Sequence, residues 1–412
     1  MSKGITIIGA GTAGTMMANK LAHTLPAGEW KITVVDRDNK HIYQPGLLFV
    51  PFGMYNPAEI VKERDILLPA GVDLILAPIA RIDADQNKVI FEDGAELSHD
   101  ILIIATGTRI APELTSGLTD EGWMESAFDF YSMEGAEGLA RRFARFDGGR
   151  VVIDIADMPI KCPVAPLEFA FLADAFFTEA GIRDEVEIVY ATPLDGAFTK
   201  PVASKMLGEL LESRNIKVET NFVASRVDGA AKKLESYDGR ALDYDVLVMV
   251  PLHQGSDLIK VSGLGDDDGF VPTDKHTLQA KSHPNIFAIG DATDLPTSKA
   301  GSVAHFQAEV LIENITRYIE GLELKPDFDG HANCFIETGF GKAILLDFNY
   351  ETQPLPGRFP LPGVGPFALL EESYVNHWGK LGFRWVYWNL LVKGEELPLD
   401  HRMLMAGKRS VA

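Results

Sequence analysis

The chain reads as an α/β protein: two copies of a strand–turn–helix nucleotide-binding unit, the second degenerate, then a C-terminal β-hairpin and amphipathic helix. Three observations predict this. The N-terminus runs Ile5-Thr-Ile-Ile-Gly9-Ala-Gly11-Thr-Ala-Gly14, an apolar strand entering Gly-x-Gly-x-x-Gly and a helix. A shift of 145 residues lays Ile8 on Ile153, but Gly9, Gly11 and Gly14 on Asp154, Ala156 and Pro159. The same shift lays Asp93-Gly94-x-x-Leu97-x-x-Asp100-Ile-Leu on Asp238-Gly239-x-x-Leu242-x-x-Asp245-Val-Leu. Between these anchors Lys31–Asp36 best matches Glu185–Tyr190 at an offset of 154, which implies an insertion of nine residues in a surface connection. Both units are Rossmann-like, one intact and one stripped of its glycines.

In the intact copy, Gly9 allows the tight turn, Gly11 lets backbone approach a pyrophosphate, and Gly14 lets helix and strand pack. The phosphate then rests on the helix N-terminus. Asp36 ends the second strand 22 residues after Gly14, where an acid can hold ribose hydroxyls. In the stripped copy Asp154 and Asp157 put two negative charges in place of the cradle. Pro159 lacks an N–H, and Tyr190 replaces the ribose acid. Reduction by a pyridine nucleotide bound in the usual way is therefore not expected.

Two later segments point to FAD as the ligand of the intact copy. Ile103-Ile-Ala-Thr-Gly107 closes the first unit. Asn285-Ile-Phe-Ala-Ile-Gly290-Asp291 is a buried strand ending in Gly-Asp, with a helix from about Ser302 to Ile319. These features resemble the two-dinucleotide-domain flavoproteins, in which the resemblance makes Asp291 the residue on the ribityl chain.

At 412 residues the chain holds two or three domains. Its net charge of −21 argues against nucleic acid as a partner. No apolar run reaches membrane-spanning length, and a first strand at Ile5 leaves no room for a signal peptide. Residues 373–412 depart from the average: six Lys/Arg against three acids give +3, leaving −24 elsewhere. Three of the five tryptophans, Trp378, Trp385 and Trp388, lie in the same stretch. Leu381, Trp385, Trp388 and Val392, spaced four, three and four, form one helix face. Aromatics and cations on a short helix suit a membrane interface, which predicts peripheral association. The alternative is a helix packed on the protein's own core.

The two cysteines, Cys162 and Cys334, are 172 residues apart and form no metal-ligand spacing, so no metal site is expected. Pro159 and Pro163 disfavour helix around Cys162, and Lys161 is a neighbouring cation that could stabilise a thiolate. Taken alone, Cys162 reads equally as an inert buried thiol. Cys334 opens a hairpin with Gly339 and Gly341 at its turn. Glu168 reads either as a proton carrier or as an acid at a helix N-terminus. Phe335, Phe340, Phe367 and Tyr374 are candidate walls of an apolar slot, each also readable as core.

Pro159-x-Lys-Cys162-Pro-x-Ala-Pro-x-Glu168, the Cys334 segment, Lys299 after Gly290-Asp291 and the aromatic tail together resemble the sulfide:quinone oxidoreductases, and the related flavin subunit of flavocytochrome c sulfide dehydrogenase. The resemblance spans essentially the whole length. It implies a redox-active sulfur bridge between Cys162 and Cys334, proton transfer by Glu168, Lys299 beside the isoalloxazine, and a tail that attaches to membrane and helps line a quinone site. Many members carry a third cysteine in the segment matching residues 123–137, where this chain has Tyr131-Ser132.

The expected activity is FAD-dependent oxidation of sulfide to sulfur or polysulfide, with electrons passed to a quinone. A cytochrome c acceptor, an NADH:quinone dehydrogenase and a non-catalytic FAD-binding redox sensor remain as alternatives, and a homo-oligomer is left open. The expected division is an FAD domain of residues 1–108 and 245–325, a degenerate unit of 109–244 carrying Cys162, and a C-terminal region of 326–412.

Overall fold

The computed structural model describes residues 3–26, 28–361, 364–397 and 399–409. Runs of Ile and Val flanked by helices form parallel strands, because such strands are covered on both faces. In the first unit β1 (Lys3–Ile8), α1 (Thr12–Thr24), β2 (Trp30–Asp36), β3 (Val72–Leu76) and β4 (Ile101–Ile104) follow in order. The second unit supplies β5 (Ala127–Phe128), β6 (Gly149–Ile155), α2 (Ala165–Glu179), β7 (Val186–Ala191), β8 (Ile216–Glu219) and β9 (Val246–Val250). The chain then returns to the first sheet through β10 (Ile286–Ala288) and continues into α3 (Gly301–Ile319).

The sheet orders are β10-β4-β1-β2-β3 and β5-β9-β6-β7-β8, so four strands of each unit share one topology. Each unit also inserts a three-stranded antiparallel meander before its fourth strand, over residues 79–98 and 224–243. The repeated Asp-Gly pairs turn the matching hairpins, with Gly94 and Gly239 at φ of 85° and 88°.

One sequence expectation needs correction and another is given its place. β9 pairs with β6 from Val151↔Val246 to Ile155↔Val250, so the second unit extends to about residue 250 and not to 244. The insertion expected in a surface connection has a definite place. β1 and α1 are separated by three residues, whereas β6 and α2 are separated by nine, residues 156–164. Much of the extra length therefore lies in the turn where a glycine cradle would be, and it carries Cys162.

The C-terminal region forms a four-stranded sheet from β11 (Ala332–Gly339), β12 (Lys342–Phe348), β13 (Gly357–Leu361) and β14 (Gly365–Leu369), in the order β11-β12-β14-β13. β11 and β12 are antiparallel, with Cys334 opposite Leu346. α4 (Tyr374–Val386) follows and passes into a π turn at Tyr387–Leu391. The expected apolar face does not hold together. Trp388 and Val392 are buried in the protein's own core, while Trp385 is 62% exposed. The outward face instead carries Tyr374, Val375, Trp378 and Trp385. A π turn advances the chain by fewer degrees per residue than an α-helix, so residues beyond Val386 leave the face extrapolated from α spacing. Among the described residues no helix is long and apolar enough to cross a membrane.

Candidate active site

The glycine loop sits at the C-terminal edge of the first sheet, between β1 and α1. A Cβ on Gly14 would meet the Gly9 carbonyl oxygen at 1.8 Å, and one on Gly9 (φ 101°) would meet that of Ala105 at 2.5 Å. At Gly11 an added Cβ meets nothing within 4 Å. Two glycines are thus demanded by packing, and the third leaves open space at the N-terminus of α1, a cradle that fits a pyrophosphate. Gly107 (φ 66°) follows the Ala105–Thr106 backbone that Gly9 abuts. Gly290 approaches Ala13 and donates its N–H to Gln307 Oε1 at 2.7 Å. The segments expected to hold FAD therefore converge on one edge. Asp36 stands beside them: its carboxylate accepts from Ala10 N and Arg37 N, both at 2.7 Å, and pairs with Arg64.

The cysteine loop is lashed to the turn after Gly290-Asp291. Cys162, at φ 46°, donates its N–H to the Lys299 carbonyl at 2.7 Å and accepts from Ala165 N at 2.8 Å. The buried Lys299 ammonium donates to the carbonyls of Asp291 (2.9 Å) and Thr293 (2.7 Å), and lies 4.1 Å from the Phe270 ring centroid. Tyr131 donates its hydroxyl to the Lys161 carbonyl at 3.0 Å and so braces the same loop.

Glu168, in the first turn of α2, is fully buried. Its Oε1 accepts from Glu337 N of β11 at 2.9 Å and from Lys380 Nζ of α4 at 2.7 Å. Lys380 also donates to the Phe335 carbonyl at 3.1 Å, and the Phe335 and Phe367 rings meet edge to face at 5.3 Å. One step further out, His377 Nδ1 lies 2.9 Å from Glu337 Oε2. Helix, hairpin and terminal helix thus meet at a chain of buried ionisable groups beside two free thiols.

Burial pushes the Cys162 thiol up to about 12; Glu168 adds to this, and Lys380 works against it. Cys334 is raised by burial and then by the nearby Cys162. The cation that favours a thiolate here is Lys380, not Lys161 as the sequence suggested. The Lys161 ammonium donates to Gln44 Oε1 at 3.1 Å and lies 5.9 Å from the Tyr131 ring centroid. Glu168 is raised by burial against the pull of Lys380. Burial works against the Lys380 ammonium, yet Glu168 and Cys162 beside it hold its proton on more tightly than usual. Burial lifts Glu337 to about 7 despite its bond to His377.

Asp154 also departs from expectation. It is fully buried, neither carboxylate oxygen has a hydrogen-bond partner, and burial raises it well above the ordinary carboxyl range. Burial thus works against the negative charge that the sequence suggested at this position. Asp157, by contrast, accepts the Met158 N–H at 2.7 Å in an exposed turn.

Sequence reasoning missed Lys380, counted only as a tail cation, together with Glu337 and His377. Of the candidate slot residues, Phe335 and Phe367 pack beside the Lys380 segment, whereas Phe340 and Tyr374 are 38% and 60% exposed.

The chain is similar to the mitochondrial sulfide:quinone oxidoreductase of Mus musculus, with 28% identity over 397 residues, 95% of this chain and 86% of that one. The corresponding enzyme of Dictyostelium discoideum is also 28% identical, over 396 residues with the same coverage. The X-ray structure of sulfide:quinone oxidoreductase from the hyperthermophilic bacterium Aquifex aeolicus superposes with a TM-score of 0.80 at 20% identity, covering 96% of this chain and 92% of that one. Residues 3–309 match the family described as pyridine nucleotide-disulphide oxidoreductase. The chain belongs to that family, and FAD is its cofactor.

Proposed function

We propose that this protein oxidises sulfide and delivers the electrons to a quinone, using Cys162 and Cys334 as its redox pair. The observation that carries this reading is the placement of Cys162, on a loop bonded to the turn that follows Gly290-Asp291, and of Cys334, on β11, beside the Glu168–Lys380 pair. The names of the similar enzymes support the substrates. Gly9, Gly11, Gly14, Asp36, Gly107, Gly290 and Asp291 would hold FAD, which when bound accepts an electron pair and passes it to the quinone.

The protein's own residues account for the sulfur chemistry. Hydrosulfide attacks one sulfur of a Cys162–Cys334 disulfide; a new S–S bond forms, the Cys–Cys bond breaks, and the other cysteine leaves as a thiolate. Lys380 stabilises that thiolate, and Glu168 takes up the hydrosulfide proton. Each hydrosulfide loses two electrons and one proton in becoming zero-valent sulfur. The quinone gains two electrons and two protons, the second proton coming from solvent. Lys299 fixes the Gly290-Asp291 turn through its carbonyl bonds and places one positive charge there. The outward face of Tyr374, Val375, Trp378 and Trp385 supports contact with a membrane, where the quinone is dissolved.

Anaerobic addition of sulfide to the FAD-loaded protein tests the reading. Flavin absorbance is expected to bleach in the wild type and to persist in Cys162→Ser and Cys334→Ser. Equal bleaching in all three proteins would remove the cysteines from the reaction, and no bleaching in any would remove sulfide.

A further inference from the structure

Tyr387 lies outside the sulfur site, in the π turn that follows α4, and is 1% exposed. Its hydroxyl is 2.7 Å from Thr12 Oγ1 and 2.6 Å from His41 Nε2. His41 Nδ1 is 3.1 Å from the Ala10 carbonyl oxygen. Chemistry fixes the direction of all three bonds. A carbonyl only accepts, so Nδ1 carries the imidazole hydrogen. Burial lowers the His41 pKa to about 4, so the ring is neutral near pH 7 and Nε2 accepts. Tyr387 therefore donates to His41, and its oxygen receives the Thr12 hydroxyl hydrogen.

The chain of bonds ends on Ala10 and on Thr12, the two residues that flank Gly11. Gly11 is where an added Cβ would meet nothing within 4 Å. The same terminal segment is tied to α1 a second time. Asn19 Nδ2 donates to the Val392 carbonyl at 3.0 Å, and the backbone at Gly394 approaches so closely that a Cβ there would lie 3.0 Å from Lys20 N. A loop held rigid before binding loses less freedom when its ligand arrives.

We propose that Tyr387, directly through Thr12 and indirectly through His41 and Ala10, positions the Gly9–Gly14 loop so that the C-terminal segment retains FAD. Tyr387 is a positioning residue, and its role rests on the reading of Gly9–Gly14 as the pyrophosphate cradle.

Tyr387→Phe removes the hydroxyl and keeps the ring. In the purified holoprotein, FAD release followed by flavin fluorescence is expected to be about tenfold faster than in the wild type. Hydrogen exchange at the amides of residues 9–14 in the apoprotein should quicken while that of β1 does not. Unchanged FAD release overturns the proposal, and so does faster release matched by an equal loss of order throughout the apoprotein. If Tyr387→Phe does not fold, His41→Phe breaks the chain at its other link and is read in the same way. Gly11→Val separates the two layers of the argument: it should leave the apoprotein folded and abolish FAD binding. Retained FAD in Gly11→Val would sink the cradle itself, whereas lost FAD there with unmoved release in Tyr387→Phe would sink only the role of Tyr387.

Discussion

Lys380 Nζ lies 2.7 Å from Glu168 Oε1 across 212 residues of chain, with Glu168 fully buried and Lys380 only 11% exposed. A buried pair of this kind is a poor source of net stability, but removing one partner strands the other. Lys380→Met should therefore destabilise the protein by about 3 kcal/mol and slow flavin reduction by sulfide at least roughly tenfold. The double variant Lys380→Met/Glu168→Gln leaves no stranded charge and should recover most of the stability without recovering the rate. Chemical denaturation alongside stopped-flow reduction separates the two effects. A double variant that regains the wild-type rate would show that the lysine is structural only.

Glu337 supplies a pH dependence of definite sign. Burial raises its carboxyl from 4.5 to about 7, against the hydrogen bond from His377 and the nearby Lys380, and with Glu168 adding to the rise. The folded protein thus keeps this proton to higher pH than the unfolded chain does. The group's contribution to stability is present in full below 4.5 and is lost as pH rises through about 7. The loss amounts to about 3 kcal/mol at most. Glu337→Gln should flatten stability between about pH 5 and 7 and leave the variant more stable than wild type at about pH 8. Urea midpoints at four pH values test this; parallel curves for the two proteins would rule the group out.

Much of the fold was legible because its signals are local. The glycine loop, the two Asp-Gly turns and the strand ending at Gly290 each lie within a dozen residues, and their spacing reports a turn or a strand directly. The sulfur site was legible only in its labelled parts. Lys380 pairs with Glu168 through tertiary packing that no local pattern encodes. A signal did exist on the terminal helix: Asn376, Lys380, Phe383 and Tyr387, spaced four, three and four, line its inward side, and Asn376 and Tyr387 are at most 1% exposed. Two of those four residues are polar, so a search for apolar periodicity settled one or two positions away, on Leu381, Trp385 and Trp388. Asp154 was misjudged for a related reason. A carboxylate reads as a charge in a sequence, and only its enclosure on β6 disfavours that charge.

Asp154 gives a prediction of its own. An unpartnered buried polar group costs about 1–3 kcal/mol, and nothing bonds to either oxygen here. Asp154→Val suits a central strand and should raise stability at pH 7 by about 1 kcal/mol or more. It should not allow NADH to bleach the flavin, because the nine residues before α2 still form the cysteine loop instead of a glycine cradle. Rapid bleaching by NADH in either protein would contradict the argument from the missing glycines. A fall in stability would mean that the carboxyl holds a bond its surroundings do not reveal.

The terminal helix separates tryptophans that hold the fold from those that face outward. Trp378 and Trp385 are 69% and 62% exposed on one side of α4, with Tyr374 and Val375 beside them. Trp388 is 6% exposed and packs against His41 with ring centroids 5.4 Å apart. Transferring an exposed large apolar side chain out of water is worth about 1.5–3 kcal/mol, or roughly tenfold or more in a partition constant. Trp378→Ser/Trp385→Ser should therefore lower binding to phospholipid vesicles by about a hundredfold or more, with thermal stability and turnover of a water-soluble quinone little changed. Trp388→Ser should do the reverse, costing about 3 kcal/mol of stability through the cavity it leaves. Vesicle co-sedimentation and thermal unfolding on the same samples distinguish the two. Membrane binding that survives the double outward variant would place the contact surface elsewhere. Binding lost equally in both variants would trace it to folding and not to an aromatic face.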